Sequence, residues 1–413
     1  MSEHFDSLET RVPAAREREL MARLPAQVAY AKKAPWFANT YRDIDAAAID
    51  SRAALATLPV LRKHQLIELQ KQQRPFGGLV AEPWGRLGRV FSSPGPIYEP
   101  EGRVADYWRT ARALFAAGVR AGDLVHNSFS YHMTPGAWIL EGGAQALGCT
   151  VFPAGPGQTE QQVQAMADLQ PNAYVGTPSF LRILLDKADE MGIAVPALQK
   201  ALVSGEAFLP AVREALAQRG IDGYQAYATA DLGVIAYESS ARDGLVIDEE
   251  VIVEIVRPGT GDPLPAGEVG EVVVTTFNAS YPLIRFGTGD LSMILPESLL
   301  QPSACGRSNL RIKGWLGRAD QTAKVRGMFV HPEQIAQVQE RHGQIGRARL
   351  VITNPDSNDA MTLYCEGVAD DALSAAVAAS VRELTKLRGE VVFVAPCSLA
   401  NDGKIIDDRR QYN

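Results

Sequence analysis

Four short segments carry side chains suited to chemistry. The first, Ser92-Ser93-Pro94-Gly95-Pro96, follows the apolar pair Val90-Phe91. A strand that runs into a small-residue loop can turn several backbone N–H groups toward a phosphate. Pro94 and Pro96 have no N–H to give, and the run holds no lysine, so taken alone it reads as a turn. The second pairs Val203-Ser204-Gly205-Glu206 with Tyr227-Ala228-Thr229-Ala230-Asp231. A glycine after a strand lets a flat base approach the backbone, and Tyr227 can stack on that base. Asp231 can offer oxygen to Mg²⁺, or it is a solvated loop acid. The third, Arg285-Phe286-Gly287-Thr288-Gly289-Asp290, sets an acid beside glycines. Such an acid can accept hydrogen bonds from vicinal hydroxyls, or simply make a β-turn. The fourth runs from Gly317 through Arg318, Asp320, Lys324 and Arg326 to Gly327. Arg318 can reach a ribose or a phosphate, and the glycines permit motion; otherwise the segment is a charged linker. Near the end, Asp402-Gly403-Lys404 is a turn carrying a lysine, a residue that is ordinarily just solvated.

These segments need a scaffold. Leu20, Leu24, Val28 and Ala31 recur at helical spacing, predicting a helix over residues 11–33. A second helix is expected over 51–70. Residues 74–102, rich in Gly and Pro, should be loops and short strands. From 103 to 235, strand-like and helix-like segments alternate. Helices are expected over Ala105–Ala117, Ala137–Leu147, Glu160–Leu169 and Ser179–Met191, the third opened by a capping box of Thr159 and Gln162. Strands are expected at Leu124–Ser128, Cys149–Pro153, Ala173–Gly176 and Lys200–Ser204. This alternation predicts a doubly wound α/β sheet, with ligands beyond the carboxyl ends of its strands. After residue 244, β-branched runs punctuated by Pro and Gly predict an antiparallel β region. Beyond Gly314–Asp320 lies a small α+β module with helices Pro332–Arg341 and Asp370–Leu387 and strands Ala348–Thr353, Met361–Glu366 and Val391–Ala395. The expected domains are residues 1–316 and 317–413.

The chain has 413 residues, too many for one core. Lys plus Arg total 41 against 48 for Asp plus Glu, a net charge of −7. That disfavours a nucleic-acid or anionic-membrane binder but leaves room for an anionic ligand in a local pocket. Cys149, Cys305, Cys365 and Cys397 are scattered, so neither a disulfide framework nor a zinc site is expected. The first residues carry acids where a signal peptide needs basic and then apolar ones, and no run approaches the length of a membrane span. A cytoplasmic protein is expected.

In order and spacing, these segments resemble the adenylate-forming enzymes, and most closely the phenylacetate–CoA ligase family. The resemblance covers nearly the whole chain. It includes the N-terminal helix, Gly157-Gln158-Thr159-Glu160, Thr177-Pro178-Ser179-Phe180, Gly205-Glu206, the Arg285–Asp290 and Gly317–Gly327 runs and Gly403-Lys404. It implies a large α/β ATP-binding domain with a β-rich subregion and a small mobile α+β C-terminal domain. Residue by residue, it implies that Ser92 and Ser93 face phosphate and that Ser204, Gly205, Glu206 and Ala228 surround an adenine on which Tyr227 stacks. Asp290 would hold the ribose hydroxyls with Arg318 assisting, and Asp231 falls at the magnesium-binding position. Asp320 would be the hinge of the small domain, and Lys404 would contact the reacting carboxylate and the α-phosphate.

Two departures stand out. The family's phosphate loop reads Ser-Ser-Gly-Thr-Thr-Gly-Lys or close to it; here Pro94-Gly95-Pro96-Ile97-Tyr98 replaces its second part. The family's tyrosine motif reads Tyr-Gly-x-Ser/Thr-Glu; here Ala228 replaces the glycine, Ala230 the hydroxyl residue and Asp231 the glutamate.

The resemblance implies an acid–CoA ligase. A carboxylate attacks the α-phosphate of ATP, pyrophosphate leaves, and the thiol of coenzyme A displaces AMP from the acyl-adenylate. Such transfer relies on in-line positioning and on cations that spread negative charge, here Lys404 and Mg²⁺. The acyl pocket is expected near Tyr131, His132, Met133, Ala137, Trp138, Gln225 and Ala226, whose aromatic and small side chains suit a flat aryl ring. The alternatives are a catalytically impaired nucleotide- or acyl-binding paralogue and an adenylate-forming enzyme with an acceptor other than coenzyme A. The expected partners are a carboxylic acid, ATP and coenzyme A, with no nucleic acid or membrane; the sequence leaves a homodimer open.

Overall fold

The computed structural model describes residues 3–93, 96–319, 321, 323–326, 328–355, 359–368 and 370–410. The chain divides into two compact units. The first comprises residues 1–253, 274–288 and 294–315; the second comprises 254–273, 289–293 and 316–413.

The first unit is built on an eight-stranded sheet. Its spatial order is Arg311–Ile312, Leu245–Ile247, Gly233–Glu238, Asp222–Thr229, Lys200–Val203, Ala173–Gly176, Leu124–Asn127 and Thr150–Pro153. The last five strands are mutually parallel. Parallel strands need crossover helices, and Gly136–Ala146, Thr159–Leu169, Pro178–Met191 and Pro210–Gln218 supply them. The strands are apolar on both faces, as a covered parallel sheet requires. Val125, Val175 and Leu202 pack into one core with Leu114, Ile139 and Leu140. Tyr174, Ala201 and Val203 pack into another with Leu181, Leu184 and Phe208. Leu124–Asn127 lies between Thr150–Pro153 and Ala173–Gly176, the strands that follow it in sequence. The chain order reverses there, which is where such sheets open a ligand crevice.

The N-terminal helix, Pro13–Ala31, is held by buried charge. Arg16 Nε lies 2.7 Å from Glu249 Oε2, and Arg16 also donates to Ser308.

Three sequence expectations fail locally. The helix expected over 51–70 is broken: Arg52–Ala56 is followed by the strand Leu61–Arg62, and helix resumes at Leu66–Gln72. Pro59 sits in the interruption and cannot give the N–H that a continuous helix needs. The helix expected from Ala105 begins only at Ala111. Asp106 and Arg109 have positive φ, and the Asp106 carboxylate instead accepts from the N–H groups of Thr110 and Ala111, at 2.7 and 3.1 Å. The capping box of Thr159 and Gln162 does not form, because the helix already begins at Thr159. Gln162 turns inward, donating to the carbonyls of Gly155 and Gly157 and pairing with His126.

The second unit contains a four-stranded sheet in the order Glu390–Val394, Ala360–Glu366, Ala348–Thr353 and Ile406–Asp408. Helices Pro332–Arg341 and Asp371–Thr385 accompany it. Ile335, Val338, Val377 and Val381 share one core with Leu350, Ile352 and Leu363. Among the described residues, no helix is long and apolar enough to cross a membrane.

Candidate active site

In the first unit, a pocket opens at the carboxyl ends of three parallel strands. Phe129 follows Leu124–Asn127, Ser204 and Gly205 follow Lys200–Val203, and Ala228–Ala230 end or follow Asp222–Thr229. Ser93 closes one side, and Thr134, Pro135, Gly136, Ile139 and Leu140 form an apolar wall. Gly205 has a φ of 85°, a conformation that costs a side-chain-bearing residue energy. Ser204 is buried, its hydroxyl donating to the Ala226 carbonyl at 2.8 Å. Glu206 is exposed and accepts from the Ser179 N–H at 2.6 Å. The Tyr227 hydroxyl donates to Thr288 Oγ1 at 3.1 Å, and a register shift follows between Tyr227 and Ala228.

The other residues expected near an acyl group take varied places. Tyr131 and Trp138 pack edge to face at 5.1 Å, and Tyr131 donates to Glu141. His132 and Met133 are exposed; Ala137 and Ala226 lie in the core; Gln225 is half-buried, its N–H on Glu238. Among these segments the pocket wall itself comes from Phe129, Thr134, Ile139 and Leu140.

Beside the pocket, Ser92 and Ser93 end the first strand of a hairpin, Leu87–Ser93 with Ile97–Gly102. Pro94 and Gly95 lie outside the described residues. The Ser92 N–H donates to the Met133 carbonyl at 2.9 Å. Ser93 is turned onto Glu99 of the same hairpin, giving both its N–H and its hydroxyl to that carboxylate. Glu99 is fully buried. Burial, then the nearby Asp231 charge, push its carboxyl up to about 8 against the opposing pull of Ser93 and Lys63. Asp231 is buried as well; its Oδ2 accepts from Lys63 Nζ at 2.6 Å, while Oδ1 has no hydrogen-bond partner among the described residues. A buried oxygen left unpaired is costly, and a hard cation is the partner a carboxylate oxygen favours. Asp231 therefore fits a Mg²⁺ ligand. Among the described residues no cluster of three or more His, Cys, Asp or Glu lies together, so the remaining ligands would be phosphate and water.

In the second unit, Asp290 pairs with Arg318 across two antiparallel strand segments, Arg318 Nη1 lying 2.9 Å from Asp290 Oδ1. The Asp290 side chain is 12% exposed and that of Arg318 is 51% exposed, so the guanidinium is open to a ligand while the carboxylate is shielded. Lys404 is also accessible, its ammonium 3.5 Å from Asp407. Gln321 clasps the turn that carries it. Gln321 Nε2 donates to the Gly403 carbonyl at 2.8 Å, and Oε1 accepts from the N–H groups of Ile405 and Ile406. Asp320 lies outside the described residues.

Residues 130–279 match the AMP-binding enzyme family. The phenylacetate-coenzyme A ligase of Aromatoleum evansii is 33% identical over 334 residues, covering 77% of this chain and 73% of the relative. The enzyme of the same name from Thermus thermophilus is 32% identical over 339 residues, covering 76% and 73%. This chain belongs to the phenylacetate–CoA ligase family. A solved 2-hydroxyisobutyryl-CoA ligase, in complex with 2-HIB-AMP and CoA, superposes with a TM-score of 0.72 at 26% identity, covering 99% of this chain and 93% of that one. The fold is thus that of adenylate-forming CoA ligases.

Against this family frame, four residues that touch the recognised segments, three in the first unit and one in the second, escape a motif-based reading. Lys63 and Glu99 reach Asp231 and Ser93 from distant or unmarked positions. Thr288 lies inside a recognised run but shows its role only once Tyr227 is placed against it. Gln321 reads as part of a linker until its side chain is seen on residues 403–406. Arg285, in the same run as Asp290, is fully buried and donates to the carbonyls of Ala56 and Leu58.

Proposed function

We propose that the chain is an ATP-dependent acid–CoA ligase that forms an acyl-adenylate and passes the acyl group to coenzyme A. The observation that carries this reading is the pocket at the strand ends. It joins an apolar wall of Phe129, Ile139 and Leu140 to the polar rim of Ser93, Ser204 and Gly205. An apolar cleft with few placed polar groups suits an acid whose body is hydrophobic and whose carboxylate faces a nucleotide. Phe129 gives such an acid an aromatic face, which supports an aryl or arylacetic substrate.

Each residue then has a task. Gly205 lets the adenine approach the backbone, and Tyr227 presents its ring beside it. Asp290 accepts from the ribose hydroxyls, while Arg318, held by Asp290, faces the sugar and phosphate. Lys404 neutralises charge that develops on the α-phosphate as the substrate carboxylate attacks in line. Asp231 would hold Mg²⁺, which supplies charge neutralisation on the departing phosphates. The small C-terminal module is proposed to turn about Asp320 between the two half-reactions.

The test is pyrophosphate release across aryl, arylacetic and fatty acids, with and without coenzyme A. Release with aryl acids and coenzyme A-dependent thioester formation are expected. A clear preference for long fatty acids would sink the aryl assignment.

A second reading rests on Ser93, whose N–H and hydroxyl are both given to Glu99. If the chain binds AMP without making adenylate, AMP raises its melting temperature while no acid releases pyrophosphate.

A further inference from the structure

A triphosphate needs cations around it. The hairpin that resembles the phosphate loop offers little. Between Leu87 and Gly102 the only basic residue is Arg89. Its guanidinium pairs with Glu101 at 2.7 Å and lies over the Trp138 ring. Besides Glu101, which Arg89 satisfies, this region presents two further buried carboxylates, Glu99 and Asp231.

One ammonium faces them. Lys63 Nζ is 2.6 Å from Asp231 Oδ2; the Asp231 side chain is wholly buried, whereas 27% of the Lys63 side chain is exposed. Lys63 opens a short turn directly after the strand Leu61–Arg62. That strand is pinned in register, Leu61 to Phe286 and Arg62 to Gly287. The Leu61 N–H donates to the Arg285 carbonyl at 3.1 Å, and the Arg62 N–H to Gln65 Oε1 at 2.8 Å. The backbone at Lys63 is therefore fixed, while its ammonium sits on a flexible four-carbon stem that can change partners. Among the described residues, one buried oxygen of Asp231 also has no partner, so the pair is an arrangement that a ligand could complete.

We propose that Lys63 supplies the phosphate-binding charge that the hairpin lacks. Without nucleotide it rests on Asp231. When ATP binds, it moves to the β- or γ-phosphate, and Asp231 is freed for the nucleotide's divalent cation. This assignment rests on the ligase reading above and names a residue for its first half-reaction.

The test compares ATP with AMP, which lacks the outer phosphates. Equilibrium titration of full-length Lys63→Met with each nucleotide should show ATP affinity reduced at least tenfold and AMP affinity changed less than twofold. The KM for ATP in pyrophosphate release should rise in step, and thioester formation from supplied acyl-AMP should persist. Lys63→Arg should recover part of the ATP affinity. Because Lys63→Met leaves Asp231 buried and unpaired, the double variant Lys63→Met/Asp231→Asn removes both charges and controls for folding. Its melting temperature should match that of the wild type, which separates a folding defect in Lys63→Met from a selective loss of ATP. If wild-type protein makes adenylate while Lys63→Met binds ATP normally, or loses ATP and AMP equally, Lys63 is only a structural partner and the assignment falls while the ligase reading stands. If wild-type protein binds AMP but not ATP, both fall together.

Discussion

Replacing Glu99 by glutamine should make the protein's stability less sensitive to pH. In the folded chain the Glu99 carboxyl is pushed up to about 8, from an ordinary value of 4.5. Burial is the main cause and the Asp231 charge the second. In the unfolded chain it titrates normally. Between these two values the folded state holds a proton that the unfolded state has lost, so the stabilisation is full below 4.5 and declines as pH rises toward 8. The slope is at most about 1.4 kcal/mol per pH unit, so the decline between about pH 5.5 and 7.5 is roughly 2–3 kcal/mol. Glutamine is nearly isosteric with the neutral acid. Its carbonyl can accept from the Ser93 N–H, and its amide can donate to the Ser93 hydroxyl. Urea denaturation of both proteins across this range should give stabilities that converge at low pH and separate by that amount as pH rises, with glutamine the more stable. Parallel curves would mean that Glu99 is already ionised in the folded chain, with Lys63 as its counter-ion, and would refute the reasoning. Asp231→Asn removes the second cause, so in that background the separation should shrink.

Three further outcomes are expected. Lys404→Ala should lower pyrophosphate release by on the order of 10²–10³-fold while sparing thioester formation from supplied acyl-AMP; equal loss in both half-reactions would contradict its assigned role. Gln321→Ala frees the turn that carries Lys404 and should lower adenylation by on the order of a hundredfold, given about 1 kcal/mol for each of the three hydrogen bonds lost. Gln321→Glu, which keeps the acceptor, should recover part of that loss in the same assay. Arg16→Met leaves the buried Glu249 with Arg11 as its remaining guanidinium partner and should cost roughly 3 kcal/mol in denaturant unfolding; a loss below about 1 kcal/mol would show the pair to be screened.

Local signals carried the architecture far, and non-local ones set its limit. The parallel strands announce themselves as short apolar runs between amphipathic helices, because each must be buried on both faces. Lys200–Val203 and Ala173–Gly176 are legible for that reason, and Pro332–Arg341 is legible from its proline start and apolar spacing. The helix expected from Ala105 fails because nothing in its composition reveals that Asp106 and Arg109 adopt positive φ. Gln162 fails as a cap because its better partners, Gly155, Gly157 and His126, become neighbours only when the sheet forms. At the site, glycine and serine positions at strand ends are readable, since backbone approach demands small residues there. Lys63 is not. It lies 168 residues from Asp231, and a single basic residue after a short strand carries no local mark of that pairing.

The same distance explains why bulk charge is a poor guide to this pocket. A net charge of −7 predicts repulsion of polyanions, yet the ligand proposed here is one. On the Lys63 proposal, what decides binding is the sum over a few groups brought together from three places in the chain: Lys63, the hairpin with Ser93 and Glu99, and Asp231. With Glu99 neutral, Lys63 and Asp231 cancel, and these groups together confront a triphosphate with no net charge. With Glu99 ionised, the same groups sum to one negative charge, and in a partly desolvated site that repulsion is felt far more strongly than in water. A carboxyl pushed up to about 8 therefore withholds a repulsive charge beside the phosphates, while the positive charge that the hairpin lacks comes from Lys63. Lys63 then needs only to exchange one anionic partner for another.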